Sequence, residues 1–493
     1  MIEKFLKNKI ISQNEKLLKL YTVFGLPPSQ LLPPSRPRTL PPPFEFHSSN
    51  NQDISYISSP RLSITKLLTS SWCELRDYYE VYSGSIRTTN ESLKLGSKYH
   101  EALELEDFEV INIDLFEEFL KSLPDIRRPD PKEPTENFFY DTESKLSNDW
   151  FESIILRLFN LLTKGDTREL LVHDYLDLKT CQFQNTDDSV MVSGIIDYIK
   201  LLNPSDHGDF SLFEEVQLYL ELNPNYRLNT FLDEVQDLVT DHNYELKFTD
   251  IKTRQINQIP AQQSVLMSAY LQVCYYKYFF ENLARDPSET YQMLLKNARV
   301  RHCDLDKPID IRLMLSLLRK YPDLLLDDFK SLANGSFKSF EPIVATDYDL
   351  TNLITEKDIQ NLNEIDDFDY NRILNREILT KWEIPLTLRY FAQISSKFYH
   401  VFKPFKCKDI SIEYHNVRTN LNFQTVEYQF DQAKLNESIE SSAKFWNGEK
   451  IPKGVKNLGK CKYCDFNTRC PVPNKDLKNI GWELTKFLNQ PST

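Results

Sequence analysis

Asp250 and Lys252 stand two residues apart in the run Asn243-Tyr244-Glu245-Leu246-Lys247-Phe248-Thr249-Asp250-Ile251-Lys252-Thr253-Arg254. Tyr244, Leu246 and Phe248 alternate ahead of them, which predicts a strand, and side chains at i and i+2 of a strand share a face. The carboxylate and the ammonium therefore project into the same space. A second predicted strand, residues 190–200, carries one acid, Asp197, inside an apolar run. Two acids and a lysine at the ends of paired strands can hold a hard cation and a water beside a phosphate. Taken alone, D-x-K is a common tripeptide, and an exposed strand end explains it more simply.

A second constellation lies near the C-terminus. Cys461, Cys464 and Cys470 form a C-x2-C-x5-C unit, and three thiolates so close predict a metal site in a reducing compartment. A fourth ligand is missing locally; Cys73, Cys181, Cys274, Cys303, Cys407 and nearby histidines are the candidates. Four thiolates suit structural zinc and an iron–sulfur cluster equally. His100 and Glu104 share a helix face at i, i+4. A lone histidine on an amphipathic helix is usually structural, yet an imidazole can complete a mixed nitrogen–oxygen site with Asp197, Asp250 and Lys252. Gln272 and Tyr276 also stand at i, i+4, either as a polar stripe on a packed helix or as contacts to a base or phosphate.

Helices and a short sheet must position these groups. Ser63 is an expected N-cap for a helix through Leu75 that carries Cys73. Further helices are predicted over 90–106, from Trp150 to a C′ residue at Gly165, over 260–283, 385–402 and 437–446. Strands are predicted at 170–176, 190–200 and 244–252, with an antiparallel pair at 409–416 and 422–430. The polar stretch 203–241 is too long for a hairpin turn and predicts an insertion. Helices, then a sheet, then a helix packed on it is an α/β pattern.

The chain has 493 residues, 41% hydrophobic and 27% charged, the composition of a globular protein of one large or two to three ordinary domains. No apolar run is long enough to span a bilayer, so no membrane association is expected. Only eleven glycines are present, and neither a G-x-x-x-x-G-K-[S/T] nor a G-x-G-x-x-G loop occurs. The net charge of −13 does not advertise a nucleic-acid binder, but residues 322–369 hold twelve acids against three lysines and supply nine of those charges. That segment predicts a solvated insertion and leaves room for a basic groove elsewhere. Lys252, Arg254, Lys277, Arg299 and Arg301 are candidates for phosphates there, with Tyr275 or Tyr276 for base stacking. Residues 1–24 combine a helical apolar pattern with five lysines, two acids and no arginine; mitochondrial targeting and an ordinary N-terminal helix both fit. Eight prolines between Gly25 and Pro43 predict an extended linker outside any core, with folding starting near Ser59-Pro60. The expected parts are a targeting segment and linker (1–45), a cysteine helix with the core (46–310), an acidic helical insertion (311–375) and a C-terminal part with the cysteines (376–493).

Six blocks, taken together, resemble the exonuclease V family and most of all its fungal mitochondrial members. They are Arg61-Leu62-Ser63-Ile64-Thr65 with Ser71-Trp72-Cys73-Glu74; Leu95-Gly96-Ser97-Lys98-Tyr99-His100-Glu101-Ala102-Leu103-Glu104; Ser193-Gly194-Ile195-Ile196-Asp197; Thr249-Asp250-Ile251-Lys252-Thr253-Arg254; Leu271-Gln272-Val273-Cys274-Tyr275-Tyr276-Lys277; and the terminal cysteines. They run in order from about Leu62 to Pro471.

The resemblance implies a RecB-like PD-(D/E)XK (restriction-endonuclease-like) α/β core with helical additions, and a 4Fe–4S cluster on Cys73, Cys461, Cys464 and Cys470 that joins the N- and C-terminal parts. It implies Asp197 and Asp250 as Mg²⁺ ligands, His100 as a further ligand, Lys252 as the group that orients or activates the attacking water, and Gln272 and Tyr276 as the Q-x-x-x-Y motif of the RecB-like branch. No proline precedes Asp197, and the second acid is aspartate where many relatives carry glutamate. The implied activity is a single-strand-specific DNA exonuclease, working 5′ to 3′ in mitochondrial DNA maintenance as a monomer. A single-strand-binding protein or a helicase would be a partner, because any motor must lie on another chain. The alternative from a different class is a catalytically silent iron–sulfur or zinc nucleic-acid-binding protein on a nuclease scaffold; a silent copy would be free to lose Asp197, Asp250 and Lys252.

Overall fold

The computed structural model describes residues 41–50, 61–69, 72–83, 91–107, 141–203, 211–342, 348–351, 354, 357, 359–360, 373–455, 457–467, 470 and 472–473. The predicted targeting helix lies outside the described residues. In chain order the elements begin with α1 (Pro43–Asn50), β1 (Arg61–Ser63), α2 (Ile64–Leu67), α3 (Glu74–Ser83), α4 (Glu91–Asp107) and α5 (Thr142–Trp150). A π-helical turn (Phe151–Ile155) leads into α6 (Leu156–Lys164), β2 (Asp166–Asp177), β3 (Gln182–Phe183) and β4 (Val190–Leu202). Then come α7 (Leu212–Leu222), α8 (Leu228–Asp241), β5 (Glu245–Arg254), α9 (Gln263–Arg285), α10 (Pro287–Val300), α11 (Ile311–Lys320) and α12 (Pro322–Ala333). A small pair, β6 (Tyr348–Asp349) and β7 (Lys381–Trp382), precedes α13 (Leu388–Val401), β8 (Lys406–Asn416), β9 (Leu421–Gln429) and α14 (Gln432–Trp446).

One mixed sheet organises these elements, in the order β3-β2-β4-β5-β8-β9, with β1 added against β4. Its pairs are antiparallel except β5 with β8 and β1 with β4. Strand β8 comes from the C-terminal part and completes the same sheet as β5, so residues on either side of the acidic segment share one core. Strand β4 changes partner along its length. It pairs β5 from Leu202 to Tyr198 and β1 from Ser193 to Met191. Between those two ladders the edge of β4 is open, and Asp197 sits in that opening.

The predicted strands and the helices at 90–106, 260–283, 385–402 and 437–446 are all present, with ends shifted by a few residues. Gly165 ends α6 at φ 88°, a left-handed conformation that needs glycine. Four expectations need correction. The helix expected from Ser63 through Leu75 is broken: α2 stops at Leu67, and Cys73 precedes α3, its carbonyl accepting from the amides of Arg76 and Asp77. The proline-rich linker is not wholly outside the core. Pro43 is buried, the Pro41 carbonyl accepts from Tyr82 Oη at 2.8 Å, and Phe46 packs 4.7 Å from the Tyr82 ring. Residues 212–241 form two helices whose apolar sides, including Leu212, Val216, Phe231 and Val235, are buried. The acidic segment is not a solvated insertion in its described portion.

Helix α12 carries Asp323, Asp327 and Asp328, yet Leu325, Phe329 and Leu332 are fully buried, and buried Asp328 accepts from Tyr390 Oη at 2.9 Å. The helix turns its leucines inward and leaves Asp323 exposed, so net charge alone misreads it. Leu325→Ala is therefore expected to cost about 2–5 kcal/mol, the usual range for a leucine truncated in a core. Urea denaturation measures it; a midpoint equal to the parent's would return the segment to the surface. Replacing 322–369 by a linker is likewise expected to unfold the protein.

Candidate active site and cysteine pocket

Three neighbouring strands bring the acids together. The β4–β5 ladder ends at Tyr198↔Thr249, so Asp197 and Asp250 are the next residues across the opening. The free amide of Ile251, which would otherwise continue the ladder, donates to Asp197 Oδ2 at 2.7 Å. Asp250 is completely buried. Lys252 Nζ lies 2.9 Å from both oxygens of its carboxylate, hydrogen-bonding Oδ1 and ion-paired with Oδ2. A buried carboxylate is costly unless positive charge approaches it, and the Lys252 ammonium supplies that charge here.

The electrostatics follow from this crowding. Burial, and then the charge of Asp250, push the Asp197 carboxyl up to about 7. Burial pulls the Lys252 ammonium down, but Asp250 and Asp197 outweigh it and hold its pKa above the ordinary lysine value. His100 is raised by its hydrogen bond to Glu169, with burial opposing and Asp197 adding to the rise. The site thus keeps a cationic lysine among carboxylates that resist ionising together.

Helix α9 braces the lysine. Gln272 Oε1 accepts from Lys252 Nζ at 3.2 Å, and Gln272 Nε2 donates to Tyr276 Oη at 2.6 Å. Gly194 on β4 lets this helix approach: a Cβ there would meet Ile64 Cδ1 at 2.4 Å and Tyr276 Cε1 at 3.0 Å. Tyr276 is only 4% exposed, and half-buried Gln272 links it to Lys252. Tyr275 is fully buried and bonds to Ser438, and buried Lys277 pairs with Glu281 at 2.7 Å. Neither tyrosine is a stacking platform, and Lys277 is not a free phosphate contact. Arg254 lies over the Tyr414 ring at the end of β5, while Arg299 and Arg301 belong to α10 and its C-cap.

Helix α4 delivers His100 from the other face, docking beside β5 at Gly96, whose Cβ would stand 3.0 Å from Thr253 Oγ1. Tyr99 Oη shares a 2.8 Å hydrogen bond with His415 Nδ1, and His415 Nε2 lies 2.8 Å from Glu413, which ties this helix to β8. His100 Nδ1 lies 3.4 Å from Glu169 Oε1 on β2. Sequence reasoning missed Glu169, because its strand was expected to start one residue later. The Glu104 side chain lies outside the described residues.

The cysteines form a separate pocket. Cys73, Cys461, Cys464 and Cys470 line one cavity with Trp72, Arg76 and Tyr79. Cys181, Cys274, Cys303 and Cys407 are not among its lining residues, which leaves Cys73 as the fourth thiol. All eight cysteines are free of disulfides. Burial and then the charge of Cys73 raise the Cys461 thiol, and burial pushes Cys470 up to about 11. Such thiols become thiolates only beside a strong positive centre. Around the pocket, the two ends of the chain are stitched by other contacts: Glu74 accepts from the Lys453 amide at 3.0 Å, Trp446 Nε1 donates to the Lys66 carbonyl at 3.1 Å, and the Tyr79 and Phe466 rings lie 5.2 Å apart.

The family model described as exonuclease V, a 5′ deoxyribonuclease, matches residues 56–471. The mitochondrial exonuclease V of Debaryomyces hansenii is 37% identical, over 94% of this chain and 83% of its own. That of Candida dubliniensis is also 37% identical, over 97% and 83%. That of Scheffersomyces stipitis is 35% identical, over 97% and 94%. With a match of this extent across the strands, helices and cysteines just described, the chain belongs to the exonuclease V family.

Proposed function

We propose that this protein is a Mg²⁺-dependent, single-strand-specific DNA exonuclease that works from the 5′ end in mitochondrial DNA maintenance. Family membership makes it a deoxyribonuclease, and like its relatives it is mitochondrial. The observation that carries the metal-dependent reading is fully buried Asp250 set across from Asp197 at the open end of the β4–β5 ladder, two carboxylates close enough that the charge of one raises the pKa of the other. The donor set of two carboxylates and an imidazole suits a hard divalent cation. Asp197 and Asp250 would hold it, with His100 beside them. Such a cation supplies Lewis-acid polarisation of the scissile phosphate and a more acidic bound water.

The chain's own residues do the rest. Lys252 is pinned between Asp250 and Gln272, so its charge is preorganised for the negative charge that develops on the phosphate. Tyr276 and Gln272 fix that lysine rather than react. The order of strand acid, D-x-K strand and Gln/Tyr helix supports a PD-(D/E)XK core. Cys73, Cys461, Cys464 and Cys470 would hold a 4Fe–4S cluster, whose contribution is to clamp the two ends of the fold. Single-strand preference and 5′ polarity rest on the family resemblance, and action as a monomer is part of the same proposal. The silent-scaffold alternative has no support in an intact constellation.

Two expectations test this reading. Linear single strands are expected to be degraded with Mg²⁺, while closed circular single strands and blunt duplexes survive; comparable rates on all three would end the exonuclease reading. Residues 1–43 fused to a reporter are expected to carry it into mitochondria, and a cytosolic reporter would show that the targeting signal lies elsewhere.

A further inference from the structure

Glu169 has entered the site so far only as the neighbour of His100, yet its backbone is the odd one in the sheet. Four non-glycine residues have positive φ among the described residues: Glu169, Cys181, His302 and Asn420. The other three are in turns, and Glu169 alone lies inside a strand, at φ 53°. Left-handed backbone is unfavourable for glutamate and persists where surrounding structure imposes it, often at functional sites. The β2–β4 register runs Arg168↔Tyr198 and Leu170↔Ile196, which sets Glu169 across from Asp197. The β4–β5 register sets Asp197 across from Asp250. Three carboxylates therefore stand in a row over three adjacent strands, although like charges directly opposite one another destabilise a sheet. Lys252 bonds to Asp250 at one end of the row. At the other end, ligand atoms of His100, Glu169 and Asp197 all lie within 4.8 Å of one another.

We propose that Glu169 is a direct ligand of the divalent cation, held with His100 and Asp197, and that its left-handed backbone exists to turn its carboxylate into that position. The proposal rests on the metal-dependent reading of the site given above. A competing role is orientation of His100 alone, through the 3.4 Å contact at Nδ1, since outer carboxylates commonly fix a ligating imidazole. The two roles separate in a double-mutant cycle.

The measurement is Mn²⁺ binding to the full-length protein without DNA, followed by the electron paramagnetic resonance of free Mn²⁺. The parent is expected to show a site that Asp197→Asn removes. Glu169→Gln keeps the shape and a hydrogen-bond acceptor for His100 but removes the charge; it is expected to weaken Mn²⁺ at least about tenfold, and to weaken it again by a similar factor in a His100→Ala background. Unchanged affinity in Glu169→Gln overturns the proposal, as does a loss that vanishes in the His100→Ala background. Glu169→Gly supplies a readout without metal: a higher melting temperature than the metal-free parent is expected once the backbone penalty is gone, and a lower one counts against imposed strain. A parent with no Mn²⁺ site sensitive to Asp197→Asn would instead overturn the metal-dependent reading itself.

Discussion

Asp197→Asn is expected to yield a folded protein that retains the proposed cluster and hydrolyses DNA at least about a thousandfold more slowly, and Lys252→Ala is expected to do the same. Each residue is one member of a unit in which removing any member costs most of the activity. The cause differs between them. Asp197→Asn keeps an oxygen for the Ile251 amide but loses the charge that a hard cation needs. Lys252→Ala removes the ammonium bonded to Asp250 and frees Gln272. Stability should move the other way in Asp197→Asn. The carboxyl is held near 7 by burial and Asp250, above its ordinary 3.8. The folded state therefore favours the proton, and the metal-free parent loses stability as pH rises from about 4 through 7. Asp197→Asn removes that loss. Thermal melting of metal-free protein at pH 5 and pH 8, beside single-turnover hydrolysis, checks both halves. Near-parental hydrolysis in Asp197→Asn would refute the site.

Cys73→Ala is expected to behave quite differently: essentially all iron, acid-labile sulfide and visible colour are lost, while Asp197→Asn retains them. Cys73 precedes α3 and shares its cavity with three thiols from the far end of the chain. A cluster held by all four closes a very long loop, and its binding becomes folding free energy. The fold should nonetheless not collapse. Glu74 with Lys453, Trp446 with Lys66, and Tyr79 against Phe466 join the same two ends without any metal. The expected result is a lower melting temperature with a sheet that remains cooperative, together with weaker single-strand binding. A Cys73→Ala protein with unchanged iron and spectrum would mean that another residue completes the site, and zinc without sulfide in the parent would replace the cluster by a structural zinc.

Much of the site is legible in the sequence because strands announce themselves by alternation. Asp197 is the one acid in an apolar run, and Asp250 and Lys252 follow three alternating apolar residues. Gln272 and Tyr276 are visible as an i, i+4 pair, but their hydrogen-bonded link to Lys252 is not, since it appears only once α9 packs against β4 and β5. Glu169 is hidden because its polar neighbours Thr167 and Arg168 obscure the start of β2, and no residue type announces left-handed backbone. The cysteine triplet is plain from its spacing, whereas Cys73 is singled out from four other thiols only by the family resemblance, and the cavity places it beside the triplet. Counting charge misjudges the acidic segment; its leucines at helical spacing already point inward. The helices over 212–241 are overlooked in the same way, although Ser211 and Glu214 spell a capping box.

If the Asp197–Asp250–Lys252 site cuts single-stranded DNA from the 5′ end with a divalent cation, one single-turnover reaction shows it. Anaerobically purified, metal-stripped protein is mixed with single strands labelled at the 5′ or the 3′ end, and the reaction is started with Mg²⁺. No hydrolysis is expected before Mg²⁺ is added; short 5′-labelled products should then appear early while the 3′-labelled strand shortens progressively. Hydrolysis at full rate without a divalent cation, or first release from the 3′ end, would be incompatible with that site and that polarity.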